Sequence, residues 1–105
     1  MPFQITIRAE AAKQFQALSA HDRGVVQQAI AAKLAATPDK ETKASKRLRT
    51  NPIAKYELRV GDFRVLYDVD AARNLVMIVL VGEKCGNSLF VEGQEYHDHE
   101  SHDAE

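Results

Sequence analysis

Apolar and polar residues alternate at the beginning of the chain. In the segment PFQITIRA, residues 2–9, the apolar side chains of Phe3, Ile5 and Ile7 are separated by polar ones. A period of two residues places every second side chain on the same side of an extended backbone. We therefore predict a half-buried strand that contributes one apolar face to a core.

Helical spacing follows this strand. In EAAKQFQAL, residues 10–18, the apolar residues Ala11, Phe15 and Leu18 recur every three or four positions, as they do along one face of a helix. The pattern predicts a short amphipathic helix.

A second helix is predicted directly afterwards. Ser19 and Asp22 form the pattern of a capping box, in which a serine oxygen accepts a backbone N–H at the start of a helix. We expect the helix to end at Thr37-Pro38, because the residue before a proline avoids the helical conformation. Since the connection is very short, the two helices should pack antiparallel. The large apolar residues of the second helix fall on one line: Val26, Ile30 and Leu34.

Polar and basic residues fill positions 39–55, which we interpret as a surface loop with a short strand at its end. Strand-length runs follow at residues 55–60, 63–69 and 75–82, and the extended stretch SLFVEGQEY comes after the turn signal Gly86-Asn87. The element order β-α-α-β-β-β predicts an α+β domain. In this fold a helical hairpin packs on one face of an antiparallel four-stranded sheet.

The segment YELRVGDFRVLYDV, residues 56–69, predicts a tight hairpin. Gly61 and Asp62 suit a type II′ turn, in which glycine takes the first central position. The two strands then place Arg59 directly opposite Arg64. Like charges that face each other across a strand pair are destabilising, so this arrangement suggests that the arginines serve an anionic ligand.

Strand alternation divides the hairpin into an apolar side and a charged side. If the loop 70–74 closes the next hairpin symmetrically, Arg64 faces Leu80, and Lys84 joins the two arginines on what we call the basic face, defined by Arg59, Arg64 and Lys84. A bound polyanion would offset the repulsion among these cations, whereas an ordinary solvated surface would rely on ion pairs such as Arg59 with Glu57. The apolar side, which we expect to meet the helices, carries Tyr56, Leu58, Val60, Phe63, Val65, Tyr67 and Val69; the charged side carries Glu57, Arg59, Arg64, Leu66 and Asp68.

Charge is distributed unevenly, although the formal net charge is only -1. All 14 Lys and Arg lie in residues 1–91 together with nine acidic residues, which gives +5, and the remaining six acidic residues lie in 92–105. A basic body indicates an anionic partner, most often nucleic acid, although a solvated basic loop has the same composition. Beyond the hairpin, we expect four residues to contact nucleic acid: Lys46, Arg47, Arg49 and Lys55.

The C-terminal segment differs from the rest of the chain. We predict one domain over residues 1–93 and an acidic tail over 94–105, because the final HDHESHDAE has no apolar residue larger than alanine. His97, His99 and His102 have the side-chain types of a transition-metal site. A segment without rigid structure does not fix ligand geometry, so we expect no metal and no other cofactor.

The remaining features narrow the class of protein. The single cysteine, Cys85, excludes an internal disulfide framework and fits a reducing compartment. The N-terminal MPFQITIRAE lacks the basic start and apolar run of a signal peptide, and no apolar stretch has the length of a membrane span. We therefore expect a cytoplasmic protein. The sequence contains no Gly-rich phosphate loop, HExxH motif or paired-cysteine site.

The segment KRLRTNPIAKYELRVGDFRVLYDVD, followed by an apolar run that ends in LVGEK, resembles the RelE/ParE superfamily of bacterial type II toxins. The resemblance extends from the first strand to about Gly93. It implies the fold derived above and one of two activities. RelE-like members cut mRNA in the ribosomal decoding site, and ParE-like members poison DNA gyrase. It also implies a cognate antitoxin that wraps the toxin in a hetero-oligomer.

For a ribonuclease, the resemblance implies a metal-independent reaction in which a 2′-hydroxyl attacks the adjacent phosphate. This reaction needs a base, an acid and cations that stabilise the developing charge. By resemblance, Arg64 matches the strand arginine of the family, and Lys84 takes the place of a second basic residue. Arg59 lies on the strand that carries further basic residues. The sequence departs from the pattern at Phe90, where RelE-like ribonucleases usually carry an acid or base.

Three functions therefore compete. The first is a ribosome-dependent mRNA endoribonuclease that blocks translation. The second is a ParE-like gyrase inhibitor without nuclease activity, which needs no acid–base residue and so suits Phe90. The third is a non-toxic RNA- or partner-binding domain. A neighbouring reading frame that encodes an antitoxin would separate the two toxins from the third.

Overall fold

The computed structural model describes residues 3–34, 45–48, 54–86, 88–92 and 94–95, with only the backbone of Lys46 and Arg47. The elements in chain order are β1 (Gln4–Ile7), α1 (Ala9–Gln16), α2 (Ala20–Leu34), β2 (Ser45–Arg47), β3 (Tyr56–Val60), β4 (Phe63–Asp70), β5 (Leu75–Cys85), β6 (Ser88–Val91) and β7 (Gln94–Glu95).

The corner between α1 and α2 is closed by side chains. Ser19 Oγ accepts the backbone N–H of Asp22 at 3.1 Å, which confirms the predicted start of α2. Arg23 Nη1 donates to the carbonyls of Gln16 and Leu18 at 3.2 and 2.9 Å. These carbonyls lie at the end of α1, where the helix itself supplies no donors. The predicted end of α2 at Thr37-Pro38 lies outside the described residues.

The sheet confirms the predicted α+β fold and extends it. Strands β2 to β7 pair with their neighbours in chain order, all antiparallel, and β1 pairs with β5 in parallel. The four expected strands correspond to β1, β3, β4 and β5. Short strands β2, β6 and β7 are added at the edges. Gln94–Glu95, the first two residues of the predicted tail, form β7, and residues 96–105 lie outside the described part of the chain.

The main core lies between the helices and one side of the sheet. The sheet contributes residues that the alternation predicted for this side, with Leu58, Val65 and Tyr67 fully buried. Tyr67 also stacks on Tyr56 with ring centroids 5.4 Å apart, a favourable geometry for aromatic pairs. The helices contribute Ala11, Val26, Ile30 and Leu34.

A smaller apolar cluster lies on the other side of the sheet. Its buried members are Ala54, Leu66 and Leu80, and partly buried residues pack around them. Because Leu66 shares its side of β4 with Arg64, the basic face is cationic at one end and apolar in the middle.

The β4–β5 pairing corrects one sequence prediction. Arg64 lies opposite Gly82, and Leu80 lies opposite Leu66. The turn between β4 and β5 holds one residue fewer than predicted, because Asp70 already pairs with Leu75. An irregularity between Leu66 and Tyr67 then shifts the pairing by one more residue. Beyond the irregularity the two one-residue shifts together restore the predicted side, so Lys84 stays on the basic face as predicted, whereas Val76 and Ile78, which undergo only one shift, lie in the main core.

Candidate functional site

The basic face begins at the turn between β3 and β4. Arg59 pairs with Arg64 in the strand register, as predicted. Gly61 has φ 59°, whereas Asp62 is not among the residues with positive φ, which is the backbone pattern of a type II′ turn. The turn therefore fixes which residues face each other, and it brings the two guanidinium groups to the same end of the sheet.

Arg64 is anchored to this turn. Its Nη1 donates to the carbonyls of Gly61 and Phe63 at 2.8 and 2.9 Å. Among the described residues, its Nε and Nη2 have no partner, so one edge of the guanidinium is held by the backbone and the other remains available. A guanidinium with a fixed orientation and free donors suits the oxygens of a phosphate.

Lys84 approaches the same turn from β5. Its backbone N–H donates to the carbonyl of Asp62 at 2.7 Å, and its position lies two residues beyond Gly82, the partner of Arg64. The side chain is exposed and forms no ion pair with any described residue. The structure thus brings together the three cations that define the basic face.

Glu57 is the acidic residue nearest to these cations in the strand register. It lies two positions before Arg59 on β3, and its Oε1 is 3.3 Å from Arg59 Nε, with the two side chains 19% and 40% exposed. Ion pairs this exposed contribute little to stability. With Glu57 on β3 and Asp62 in the turn, two carboxylates accompany the three cations, so the turn end of the sheet keeps a net positive charge there.

Of the four other predicted nucleic-acid contacts, the three whose backbone the structure describes lie away from the turn. Lys55 is exposed, and its backbone N–H donates to Asp68 Oδ1 at 2.8 Å. It is four residues from Arg59, or about 13 Å along an extended strand. Lys46 lies opposite Glu57 in register and Arg47 opposite Tyr56, while Arg49 is outside the described residues.

Phe90 lies on the side of the sheet away from the basic face. Phe90 pairs with Glu83, and Leu89 pairs with Lys84. Because side chains alternate along a strand, Leu89 is on the basic face and Phe90 is on the side of the helices. The number of residues between LVGEK and Phe90 could not reveal this. The direction of the Phe90 side chain depends on whether the chain after β5 forms a strand or a helix. In this structure β6 brings an apolar side chain, and no acid or base, to Lys84.

Gly82 allows β6 to fold closely over the basic face. A Cβ at this position would lie 2.8 Å from the carbonyl oxygen of Phe90 and 3.1 Å from side-chain atoms of both Leu89 and Val91. Because Gly82 has no side chain, β6 can occupy this space on the strand next to Arg64.

A cleft of about 390 Å³ lies on the helix side, behind the basic face. Its apolar lining includes Leu18, Phe63 and Phe90, and its acidic lining consists of Asp22, Glu83 and Glu92. The turn end of the sheet is thus cationic on one side and acidic on the other. Sequence reasoning missed this cleft, because its lining comes from α1, α2, β4, β5 and β6.

The described part of the chain contains neither a cluster of metal ligands nor a membrane-spanning helix. No group of three or more His, Cys, Asp or Glu side chains there has the grouping of a metal site. His97, His99 and His102 lie outside the described residues. No helix among the described residues has the length and apolar character required to cross a membrane.

No model of a known protein family matches the sequence, and no curated protein matches it significantly. Solved structures do match. The toxin–antitoxin complex RelBE2 from Mycobacterium tuberculosis contains a chain with a TM-score of 0.68 and 22% identity, and the match covers 80% of this chain and 100% of that one.

The archaeal RelE–RelB complex from Pyrococcus horikoshii gives a TM-score of 0.65 at 19% identity, covering 84% of this chain and 100% of that one. The isolated RelE toxin of E. coli gives 0.58 at 20% identity, covering 81% and 86%. The chain therefore has a RelE-like fold, as its sequence resemblance implied.

Proposed function

We propose that this chain, which has the fold of RelE toxins, is the toxin of a type II toxin–antitoxin pair and cuts mRNA on the ribosome. The observation that best supports this function is the grouping of Arg59, Arg64 and Lys84 at the turn end of the sheet. The main core lies on the opposite side of the sheet, and at the turn end Arg59 and Lys84 are exposed and Arg64 is half-buried, so the three cations can meet a ligand.

In the proposed reaction, the 2′-hydroxyl of the mRNA attacks the neighbouring phosphate, so the nucleophile comes from the substrate. Negative charge then builds on the phosphate oxygens. The free donors of Arg64, with Arg59 and Lys84, would stabilise that charge, and preorganised donors of this kind lower barriers strongly. The more distant Lys55, with Lys46, Arg47 and Arg49, would hold the adjacent backbone of the RNA.

The proposal includes an antitoxin partner in the cytoplasm. Two of the similar structures are complexes of RelE-type toxins with their antitoxins. A partner that covers the basic face would neutralise the toxin, and an acidic, partly apolar segment that orders on binding fits both the cations and the adjacent apolar cluster. We propose a hetero-oligomer of this kind.

A second candidate function is inhibition of DNA gyrase by protein binding. The observation in its favour is that β6 presents Leu89 to the basic face and thus supplies no group for proton transfer. An inhibitor that acts by binding needs no such group.

A parallel assay of translation and supercoiling tests the proposal. The purified chain is added to a reconstituted translation system with a defined mRNA and, separately, to gyrase with relaxed plasmid. We expect ribosome-bound mRNA to be cut to fragments with cyclic 2′,3′-phosphate ends, and supercoiling to continue. Intact mRNA with blocked supercoiling would support the gyrase inhibitor, and no effect in either assay would contradict both toxin functions.

A further inference from the structure

The last strand of the sheet runs towards the basic face. β5 runs towards the β3–β4 turn, where Glu83 pairs with Phe63. β6 then runs away from that turn, and β7 runs back towards it, with Glu95 opposite Phe90 and Phe90 opposite Glu83. The chain beyond Glu95 therefore starts at the end of the sheet that carries the cations of the basic face.

The end of β7 is held to β6 by a side chain, which fixes the point where the chain leaves the sheet. Ser88 Oγ donates to Glu95 Oε2 at 2.8 Å. Neighbouring strands lie about 4.8 Å apart, so Glu95 is about 10 Å from Glu83, across two strand spacings. Lys84 directly follows Glu83 on β5, and Arg64 lies one strand further away on β4, at about 15 Å from Glu95. The first cations of the basic face are therefore close to the exit point.

Residues 96–105, which we call the C-terminal segment, are opposite in charge to the basic face. At the turn end, the cations Arg59, Arg64 and Lys84 outnumber the carboxylates of Glu57 and Asp62. An unrestrained chain of ten residues spans about 16–19 Å, which is enough to bring a carboxylate to each cation. Because the segment is tethered, its effective concentration at the face is on the order of millimolar. The segment has four acidic residues and no lysine or arginine: Asp98, Glu100, Asp103 and Glu105.

We propose that the C-terminal segment binds to the basic face of its own chain and competes there with RNA. Its carboxylates accept hydrogen bonds from the Lys84 ammonium and from Nε and Nη2 of Arg64, which have no partner among the described residues. RNA must displace the segment before its phosphates reach Arg64, so the segment lowers the affinity of the face for other polyanions. The contact depends on charge and reach alone and does not require the nuclease function.

NMR on the full chain tests the contact directly. Amide resonances of residues 97–105 are compared in the unmodified chain, in Lys84→Glu, in Arg73→Glu and in a free peptide of residues 96–105. Both substituted residues are exposed, but Arg73 lies at the opposite end of β4 from the basic face. We expect the segment's resonances in Lys84→Glu to move towards those of the free peptide, and those in Arg73→Glu to stay, while the sheet resonances show that both variants are folded. Segment resonances in the unmodified chain that match the free peptide would overturn the proposal.

A pH series on the same samples supplies a second readout. The segment also carries His97, His99 and His102, and imidazole has an ordinary pKa of about 6.5. Between about pH 8 and pH 5.5 the histidines gain positive charge, whereas carboxyl, lysine and arginine groups ordinarily have pKa values outside this interval. The difference between the unmodified chain and the free peptide should therefore shrink as the pH falls. A difference that grows as the pH falls would overturn a contact made by the carboxylates.

Competition is measured as the affinity of the full chain for a short single-stranded RNA. Asp98→Asn combined with Glu100→Gln should bind the RNA about 2–10-fold more tightly than the unmodified chain at low salt, and the gap should close as salt rises. Glu10→Gln combined with Asp70→Asn is the matched control, because these exposed residues lie away from the turn end of the sheet; we expect its affinity to stay near that of the unmodified chain. Equal affinities of the two double variants would overturn the competition. Uncut ribosome-bound mRNA together with the expected NMR shifts would overturn the nuclease function and support the contact.

Discussion

Arg59 and Arg64 lie directly opposite each other on neighbouring strands, yet their guanidinium groups are held by different parts of the same hairpin. Arg59 contacts Glu57 on its own strand, and Arg64 donates to two carbonyls of the turn. These local contacts hold the two guanidinium groups in place despite the repulsion between them, and the turn end of the face stays cationic. The proposed anion site would therefore not need a bound anion in order to fold.

The first prediction concerns the coupling between the two arginines. A double-mutant cycle with Arg59→Ala, Arg64→Ala and the double variant should give an unfavourable interaction of about 0.2–1 kcal/mol in the free energy of unfolding. The coupling should shrink as salt is added, because exposed charges are screened. Arg64→Ala alone removes two hydrogen bonds together with the repulsion, so its stability should change by less than about 1 kcal/mol. A favourable or salt-independent coupling in urea unfolding would contradict this description.

The second prediction concerns β6. Phe90→Tyr should leave mRNA cleavage unchanged, because the side chain lies on the helix side of the sheet and cannot reach a phosphate beside Arg64. Leu89→His, by contrast, places an ionisable group directly opposite Lys84. A rise in cleavage with Phe90→Tyr, measured on programmed ribosomes, would show that β6 turns its other side to the RNA.

The hairpin that carries the arginines could be predicted from the sequence because its determinants are local. Gly61-Asp62 selects the turn, and the turn and the alternation together specify every pair from Tyr56 with Tyr67 to Val60 with Phe63. The partner of Arg64 on β5 depended on two further irregularities, the shorter turn and the shift beside Leu66. Neither has a distinctive residue pattern, so Leu80 was predicted where Gly82 is found.

The position of Glu57 was equally difficult to recognise from sequence. In the linear pattern it appears as a counter-charge for Arg59, and the resemblance to known toxins drew attention to Phe90. Its diagonal relation to Arg64 and Lys84 follows only from the pairing of three strands. The helix-side cleft is a similar case, because five elements separated along the chain contribute to it.

The third prediction concerns the close approach of β6 to β5. Gly82→Ala should destabilise the protein by about 1–3 kcal/mol, because the new methyl group would lie 2.8 Å from a backbone carbonyl oxygen. Gly24→Ala is the matched control. It lies in α2, where an added Cβ meets nothing within 4 Å, and alanine should stabilise the helix by about 0.5–1 kcal/mol. Thermal unfolding of the two variants should therefore move in opposite directions.

The fourth prediction concerns the contact between α1 and the sheet. Gln14 Oε1 accepts the backbone N–H of the buried Val81 at 2.8 Å, in the stretch of β5 between its pairings with β1 and β6. Gln14→Ala leaves that N–H without its protein acceptor and should cost about 1–3 kcal/mol. Gln16→Ala, on an exposed position of the same helix, should cost much less. Equal unfolding midpoints for the two variants would show that the Gln14 contact does not stabilise the fold.

The most direct test of the account is whether Arg64 is required for cleavage in a protein that remains folded. Single-turnover cleavage of ribosome-bound mRNA should be compared for the unmodified chain, Arg64→Ala and Arg73→Ala. Arg73 is exposed and pairs with Asp70 at the β4–β5 turn, at the opposite end of β4 from the basic face, so it matches the change in charge. We predict a loss of about 10²–10³-fold for Arg64→Ala, as for removal of one donor to a developing oxyanion, and a normal rate for Arg73→Ala. Normal cleavage by a folded Arg64→Ala variant would contradict the claim that the basic face is the functional site.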